Sequence, residues 1–374
     1  MTEPIESSHA ISLAEQGFAM PAEWHPHAAT WVAWPHNPKT WPENLEAAQE
    51  EFLEFVAAIA DDEPVMLMCS GEAQIDQFLS VNSRRSTKLT NVKIVDVPTN
   101  DAWARDYAPT FLINRETSEL LGLDWRYNAW GGKYPPFDLD QQACKRICDH
   151  IVKVKPELGP GCSHHKMDFC FEGGAIEMGA GGMVLCTKSC ALAPNRNRKA
   201  TEAKIERMFF DHLSATSVVW LAGDAITGDD TDGHIDQLAR CTPAGAILYA
   251  WFDDDADPQH ALLEGNLQDL QRGLAHLGKD NDLIPLPIPN PITLHGQRLP
   301  ASYCNFYITN KKVIVPQFGQ PTDQDAIRIV AEQFPDRDTI GLNSANIAYG
   351  QGSFHCLTQQ QPEILQDVYE AEVV

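Results

Sequence analysis

Four side chains with useful chemistry occupy loops far apart in the sequence: Asp106, Glu172, His234 and Cys356. Cys356 lies in the glycine-rich segment YGQGSFHCLTQQQP. Glycine permits backbone conformations that other residues resist, so this loop is expected to present the thiol as an exposed nucleophile. A buried structural thiol is the alternative, because free cysteines are among the most buried residues.

His234 lies in the acidic segment GDDTDGHIDQ. If this segment is a strand, the side chains of His234 and Asp236 point to the same side and suit acid–base work and cation binding. Asp229, Asp230 and Asp232 add further carboxylates, but the ligand spacing and final glutamate of a calcium loop are missing. A metal-dependent hydrolase built on this cluster stays an alternative.

Two acids, a histidine and a cysteine are the minimum set for hydrolysis of a guanidinium group. This planar cation carries five donors in a fixed fork, which two carboxylates can hold bidentately. A thiolate attacks the central carbon, and the histidine protonates the departing amine and later activates water. A cationic substrate and a protonated histidine both favour the thiolate, and a third carboxylate can orient the histidine.

The chain contains 10 cysteines, most of which are expected to be free thiols packed as small hydrophobic groups. Two pairs are spaced i, i+4, and two histidines lie between them: Cys144/Cys148, Cys186/Cys190, His164 and His165. A zinc site made from these residues is disfavoured because the usual close ligand pairs are missing. The sequence therefore predicts neither a metal nor a cofactor.

The elements that position these residues begin with an α/β pattern. ATWVAW, PVMLMC and VKIVDVP (from residues 29, 64 and 92) read as strands. Between the first two, ENLEAAQEEFLEFVAAIADD has apolar residues at the helical spacing of Phe52, Phe55, Val56 and Ile59. The chain is thus predicted to open as strand, helix, strand, helix, strand.

One module then recurs: a loop with a polar or reactive residue, an apolar strand, a turn and another strand. Its copies begin at residues 101, 171, 232 and 300, with an incomplete one at 350. The reactive positions are about 60 residues apart, with a last gap of about twice that length, which favours radial repetition of about five units. An ordinary α/β sheet is the alternative. The Pro/Gly-rich stretches at 131–138 and 283–297 are predicted loops, and without a linker a single domain over 1–374 is expected.

The net charge of -24 disfavours nucleic acid as a partner and favours a small cationic guanidino substrate. The first residues lack the apolar core of a secretory signal, and no stretch reaches the roughly 20 apolar residues that span a bilayer. A cytoplasmic protein without a membrane partner is therefore expected, and a homo-oligomer is compatible with the sequence.

A series of segments, in the same order along most of the chain, resembles the agmatine deiminase family of the guanidino-modifying superfamily. They include MPAEWHPHAATWVAWP, NDAWARDYAPTF, NAWGGKY, EGGAIE, NRNR, DTDGHID, ASYCNFYI, PQFGQP and HCLTQQQP. HCLTQQQP and DGHID are the most specific. The resemblance implies a five-bladed α/β propeller, with pseudo-fivefold ββαβ repeats around a central active site, and hydrolysis of agmatine to N-carbamoylputrescine and ammonia.

The resemblance also implies roles for individual residues. Cys356 would be the nucleophile, His234 the acid and base, and Glu172 its support. Asp106 and Asp236 would hold the guanidinium. More weakly, Trp103 would wall the pocket and Asp230 would face the amine end of the substrate.

Four residues depart from the family pattern and put the substrate's tail in doubt. Gln351 and Ser353 lie in a loop that relatives make richer in glycine, Asp232 stands where relatives often carry Asn, and Asp230 where they carry Glu. A peptidyl-arginine or free-arginine deiminase with the same catalytic groups is the alternative enzyme. A non-catalytic protein that binds small cations is the alternative of another class, against which the intact cysteine and histidine argue.

Overall fold

The computed structural model describes residues 11–84, 89–154 and 162–364, in which strands and helices alternate. The first five long elements are β1 (His27–Ala33), α1 (Leu45–Ala60), β2 (Val65–Met68), α2 (Gly71–Asn82) and β3 (Val92–Val95). β1 pairs parallel with β2, and β2 pairs parallel with β3. The predicted opening of strand, helix, strand, helix, strand is confirmed.

The remaining elements form four further three-stranded sheets and a small hairpin within the described residues. The second sheet and its helices are α3 (Ala104–Tyr107), β4 (Thr110–Asn114), β5 (Glu119–Asp124), α4 (Ala129–Gly132), α5 (Ala143–Val154) and β6 (Cys162–Lys166). The third group is β7 (Glu177–Met178), β8 (Met183–Thr187), α6 (Lys188–Ala191), α7 (Glu202–Leu213) and β9 (Ser217–Leu221). The fourth group is β10 (Ala239–Cys241), β11 (Ile247–Trp251), α8 (Pro258–His276) and β12 (Leu283–Pro287). The hairpin and the last group are β13 (Thr293–Leu294), β14 (Gln297–Arg298), β15 (Tyr307–Ile308), β16 (Lys312–Gln317), α9 (Asp323–Gln333), β17 (Asp338–Asn343), α10 (Ala345–Ala348) and β18 (Thr358–Pro362).

Each of the five sheets is mixed and follows one pairing rule. An antiparallel pair comes first, and a strand that follows a helix then joins in parallel, as in β4, β5 and β6. The same order holds for β7–β9, β10–β12 and β15–β17. In the first sheet β18, from the other end of the chain, supplies the antiparallel neighbour of β1. The mixed α/β class and the predicted strand pairs are confirmed, while radial closure stays a prediction.

Two predicted local structures are wrong. His234 and Asp236 do not lie on a strand, because residues Ile235–Gln237 form a 3-10 turn and β10 begins only at Ala239. The stretch 283–297 is not only loop, since it contains β12 and the turn of the β13–β14 hairpin. β12 lies at the edge of its sheet. Its prolines lack a backbone N–H, which is tolerated there because no further strand pairs with the open side.

The core lies between the helices and the sheets. The four apolar residues that predicted α1 are all fully buried, which explains why this amphipathic segment forms a helix against the first sheet. Phe55 also stacks on Phe354, two residues before Cys356, with ring centroids 4.2 Å apart and planes at 12°. Among the helices of the described residues, none combines the length and apolar character that a bilayer crossing demands.

This stack generates a stability prediction. Phe55→Ala should lower the free energy of unfolding by about 3–5 kcal/mol, because it leaves a cavity under the nucleophile loop. Leu79→Ala, at a side chain that is 51% exposed, is the control and should change stability by less than about 0.5 kcal/mol. Chemical denaturation measures both; equal effects would contradict the assigned packing.

Candidate active site

A cavity of about 480 Å³ opens beside the nucleophile loop. Four of the seven predicted site residues line it: Trp103, Asp106, Asp230 and Cys356. The other three, Glu172, His234 and Asp236, lie fully buried behind its wall. The structure therefore brings all seven into one region, although they come from loops of different sheets.

Cys356 is not exposed as predicted, since only 3% of its surface is accessible. It nevertheless faces the cavity, with Sγ 3.4 Å from Asp236 Oδ2 and 3.2 Å from Asn305 Nδ2. Asn305 Oδ1 also accepts the Cys356 backbone N–H at 3.3 Å, so one amide fixes both ends of the cysteine. Burial, with the charges of Asp236 and Asp106, raises the pKa of the Cys356 thiol well above its ordinary value. Before a ligand arrives, this group is a neutral thiol.

The glycines of the nucleophile loop are needed for space. A Cβ on Gly352 would lie 2.5 Å from the Trp103 ring, and one on Gly350 would lie 2.5 Å from the Trp41 ring. Neither glycine has a positive φ, whereas Gln351 between them has φ 84°. The prediction that glycine supplies unusual backbone angles here is therefore wrong, because the left-handed residue is the glutamine. Close contact with two tryptophans is what excludes a side chain.

Asp106 has a partner on each oxygen. Oδ1 accepts the Gly174 backbone N–H at 3.0 Å, and Oδ2 accepts the Trp130 indole N–H at 2.9 Å. Trp130 reaches it from a strained turn in which Ala129 and Trp130 both have positive φ. Burial, opposed by His234 and reinforced by Asp236 and Glu172, raises the pKa of Asp106 to about 6. The carboxyl group is therefore half protonated near pH 6 and mostly ionised at neutral pH.

His234 sits between two acids without a hydrogen bond to either. Nδ1 is 3.7 Å from Asp106 Oδ1, and Nε2 is 3.8 Å from Glu172 Oε2. Neither nitrogen has a hydrogen-bond partner in the described part of the chain. Burial acts to lower the pKa of His234, but Asp106, Cys190 and Glu172 outweigh it and hold it well above its ordinary value. The ring is charged and has donors to offer a ligand.

Glu172 is fixed by an arginine that the motifs did not single out. Arg196 Nε lies 2.9 and 2.8 Å from the two Glu172 oxygens, and its other nitrogens bond Asp232 and the Thr231 carbonyl. Burial acts to raise the pKa of Glu172, but Arg196 and His234 reverse this and lower it. Arg196 belongs to the NRNR segment, which the sequence analysis noted only as part of the family resemblance. Its pairing with Glu172 could therefore not be predicted from the sequence.

Asp236 is held charged by a second histidine. His355 Nδ1 bonds Asp236 Oδ2 at 2.8 Å, and His355 Nε2 bonds Glu23 Oε2 at 2.8 Å. Burial acts to raise the pKa of Asp236, but the His355 hydrogen bond and charge lower it. Oδ1 of Asp236 has no hydrogen-bond partner among the described residues. His355 lies next to Cys356 in HCLTQQQP, and adjacency was the only sequence signal for it.

Asp230 has partners of its own at the cavity mouth. Lys133 Nζ bonds Asp230 Oδ1 and Asp232 Oδ1, both at 2.8 Å, and the Tyr134 hydroxyl donates to Asp230 Oδ2. Lys133 and Tyr134 belong to the GGKYPPFD loop, which was predicted only to border a site. A cation is thus already present beside this acid.

The acids that suggested a metal site are occupied by other partners. Asp229 accepts hydrogen bonds from Thr231 and from the Gly233 backbone, and Asp232 is paired with Arg196 and Lys133. Glu172, Cys190 and His234 lie within metal-binding distance of one another, but Arg196 takes both oxygens of Glu172. These partners satisfy the acids without a metal, so neither of the two clusters offers a free set of ligands.

Comparison with known proteins identifies the family of this chain. The family model for Porphyromonas-type peptidyl-arginine deiminase matches residues 19–362. The chain belongs to this family. It is 35% identical over 367 residues to the agmatine deiminase of Stutzerimonas stutzeri (strain A1501), covering 93% of this chain and 96% of the relative.

Solved structures of this family have the same fold. The agmatine deiminase of Enterococcus faecalis is 30% identical, with a TM-score of 0.84, over 95% of this chain and 99% of that one. A C. jejuni agmatine deiminase variant with substrate bound is 27% identical, with a TM-score of 0.80, over 92% and 96%. The chain is thus an enzyme of a hydrolase family that acts on guanidino C–N bonds.

The pKa of Asp106 predicts how cation binding depends on pH. Below about 6 the carboxyl is protonated and cannot pair with a cation; above that value it is ionised. Guanidinium affinity should therefore rise as pH increases from about 5 to 7. Calorimetric titration of Cys356→Ser with agmatine measures this without turnover. Asp106→Asn should bind weakly with a flat profile, and an unchanged profile would contradict the assignment.

The packing of Gly352 on Trp103 yields a second prediction. Gly352→Ala should reduce kcat/KM by more than about 100-fold, because the added methyl displaces either the tryptophan or the nucleophile loop. Gly181→Ala is the control, because a Cβ at Gly181 would meet open space. The positive φ of this residue means that the substitution should lower stability but not activity. Ammonia release by both variants is the measurement. Near-normal activity of Gly352→Ala would show that the loop can move aside.

Proposed function

We propose that this enzyme hydrolyses the guanidinium group of agmatine to N-carbamoylputrescine and ammonia. The observation that carries the proposal is the arrangement around Cys356 Sγ. A buried carboxylate with one unpaired oxygen lies 3.4 Å away, and a second carboxylate and a charged imidazole share the same neighbourhood. That combination suits a planar cation whose central carbon is the electrophile.

Asp106 and Asp236 would hold the guanidinium flat against the cavity floor. The free oxygen of Asp236 is the natural acceptor for one N–H, because a buried unpaired carboxylate oxygen is costly until a donor arrives. Asp106, oriented by Trp130 and Gly174, would take N–H groups on the other side. Trp103 would wall the pocket beside the substrate.

The substrate itself would activate the nucleophile. Burial and two neighbouring carboxylates raise the pKa of the Cys356 thiol and keep it protonated in the free enzyme. A cation bound between them cancels their charge, so the thiol pKa falls as the substrate binds. The reactive thiolate would then exist only beside its target, which protects a strong nucleophile from side reactions.

The chemical steps follow from these positions. The thiol loses its proton to solvent as the substrate binds, the thiolate adds to the guanidinium carbon, and His234 gives a proton to the departing nitrogen, which leaves as ammonia. The carbon is then bound to sulfur as a thiouronium group. Neutral His234 takes a proton from water and the resulting hydroxide attacks this carbon. The C–S bond then breaks to return the thiolate, the added hydroxyl group gives its proton to solvent or to the released ammonia, and the ureido product leaves. Glu172, locked by Arg196, would stabilise the charged form of His234.

The surroundings of the substrate's tail favour agmatine over arginine. Asp101, Asp140 and Asp230 all line the cavity. Arg105, the one arginine that sequence offered for a carboxylate tail, does not line it and bonds Gln360 and the His355 carbonyl instead. Lys133 is engaged by two aspartates. The relatives from Stutzerimonas stutzeri and Pseudomonas aeruginosa agree with this preference, since they are agmatine deiminases.

We further propose that residues 1–374 form one domain in which the five sheets surround this cavity as the blades of an α/β propeller. The seven predicted site residues come from loops that belong to four of the five sheets, which supports a common centre. The pairing of β18 with β1 is the kind of closure that such a ring requires.

A comparison of three substrates tests the proposed function. Ammonia release should be at least about 100-fold more efficient with agmatine than with free arginine or a blocked arginyl peptide, because only agmatine places a second cation beside Asp101 and Asp230. Preference for arginine would overturn the assignment of the tail. Preference for the peptide would indicate the peptidyl-arginine alternative.

Substitution of the nucleophile tests the mechanism. Cys356→Ser and Cys356→Ala should lose at least about 10⁴-fold in kcat while keeping the wild-type Tm within a few degrees, since both side chains are small. Cys69→Ser is the control, because that buried thiol does not line the cavity, and it should keep activity. Activity above a few per cent in Cys356→Ala would rule out covalent catalysis.

A further inference from the structure

A second cluster of reactive side chains lies where α5 packs on the second sheet, and none of its members lines the catalytic cavity. It combines three thiols, an imidazole and a carboxylate. Its members are Cys144, Cys148, Cys162, His164 and Asp124. This cluster is not part of the proposed reaction and therefore needs its own explanation.

The secondary structure brings these residues together from separate elements. Cys144 and Cys148 are four residues apart on α5, so they lie on one helical face. Cys162 and His164 alternate along β6, so they lie on one face of the sheet. β5 runs beside β6 with Gly122 opposite His164, which places Asp124 on the same face two residues further on. The helix covers that face of the two strands.

The distances are close to those of a ligand set. One donor atom each from Asp124, Cys144 and His164 lies within 4.8 Å of the other two. His164 Nε2 is 2.7 Å from Asp124 Oδ2, and Cys148 Sγ is 3.2 Å from Cys162 Sγ. Tetrahedral zinc with bonds of about 2.0–2.3 Å spaces its ligand atoms roughly 3.3–3.8 Å apart. Small side-chain rotations therefore bring Asp124, Cys144 and His164 to zinc spacing, whereas Cys148, which contacts Cys162, must turn towards these three.

The backbone is shaped to admit one of the sulfurs. A Cβ on Gly122 would lie 2.3 Å from Cys148 Sγ, so only glycine leaves room for this thiol against β5. Three of the donors are almost fully inaccessible, whereas the His164 side chain is 25% exposed and opens a path to solvent. The thiols are thus closed off from solvent, and the imidazole of His164 lies at the one open edge of the cluster.

We propose that Cys144, Cys148, His164 and Asp124 form a structural binding site for one Zn²⁺ ion. Thiolate and imidazole donors favour zinc over the hard cations Mg²⁺ and Ca²⁺. On binding, each thiol releases its proton to solvent and the ring binds as neutral imidazole. Cys162 stays beside Cys148 as a neighbour that contacts the ligand sulfur.

The sequence prediction of no zinc site is revised for one of the two cysteine pairs. Spacing along the chain gave no close ligand pair because the donors come from a helix and two strands. The other pair stays outside this site, since Cys190 lies against Glu172. His165 also has a different neighbour, His212. The ion would fasten α5 to β5 and β6.

Metal analysis of the reduced full-length protein tests the site. The protein is stripped with a chelator and titrated with Zn²⁺ against a chromogenic competitor, and Cys356→Ser is titrated in parallel to remove the nucleophile as a competing thiol. We expect one Zn²⁺ per chain in both, a Tm that rises on adding Zn²⁺, and tetrahedral thiolate bands with Co²⁺. Ammonia release should not change on chelation, because the ion is remote from the reaction.

Matched variants identify the ligands. Cys144→Ser and His164→Gln should each weaken Zn²⁺ binding more than about 10-fold, whereas Cys162→Ser and Cys69→Ser should keep it. The partly exposed His164 makes its variant informative even if Cys144→Ser folds poorly. Substoichiometric zinc without a Tm response, equal binding by His164→Gln and the wild type, or a Cys148–Cys162 disulfide in the purified protein would each overturn the proposal.

Discussion

The charge on Asp236 is the constraint on which the rest of the site depends. A lone carboxylate without access to water would take up a proton, and it could not then hold a cation. His355 prevents this by bonding Asp236 on one side and Glu23 on the other. Each ring nitrogen of His355 bonds one carboxylate oxygen, so a single side chain fixes both acids. The free oxygen of Asp236 is left for the substrate.

This ion chain explains why distant parts of the sequence must fold together. Glu23 precedes β1, His355 precedes β18, and Arg240 lies in β10, where it bonds Glu23 at 2.8 Å and Glu177 of β7 at 3.0 Å. Removing any member leaves an uncompensated buried charge, which costs several kcal/mol. The first and last strands are paired with each other, so the two ends of the chain reach the same centre. Packing such as the stack of Phe55 on Phe354 then holds the loop that carries His355.

Much of the fold could be predicted from local pattern, whereas little of the support around the site could. Apolar spacing gave α1, and turn chemistry gave the strand pairs, because both depend on neighbours in sequence. The 3-10 turn at Ile235–Gln237 was missed because polar residues two positions apart occur in turns as well as in strands, so their spacing alone does not distinguish the two. Asn305, Arg196 and His355 are defined by partners 51, 24 and 119 positions away, which spacing does not encode. The resemblance supplied the reacting residues but not what keeps them charged.

The same electrostatics couple the choice of substrate to reactivity. Burial, Asp236 and Asp106 together raise the pKa of the Cys356 thiol, and a cation between the two acids offsets their share of that effect. A neutral urea or amide of the same shape would leave both carboxylates uncompensated and the thiol protonated, so it would fail even if it fitted the cavity. Discrimination therefore lies in generation of the nucleophile as well as in affinity. The acids at the cavity mouth extend the selection to the far end of the substrate, where a second positive charge meets Asp101 and Asp230.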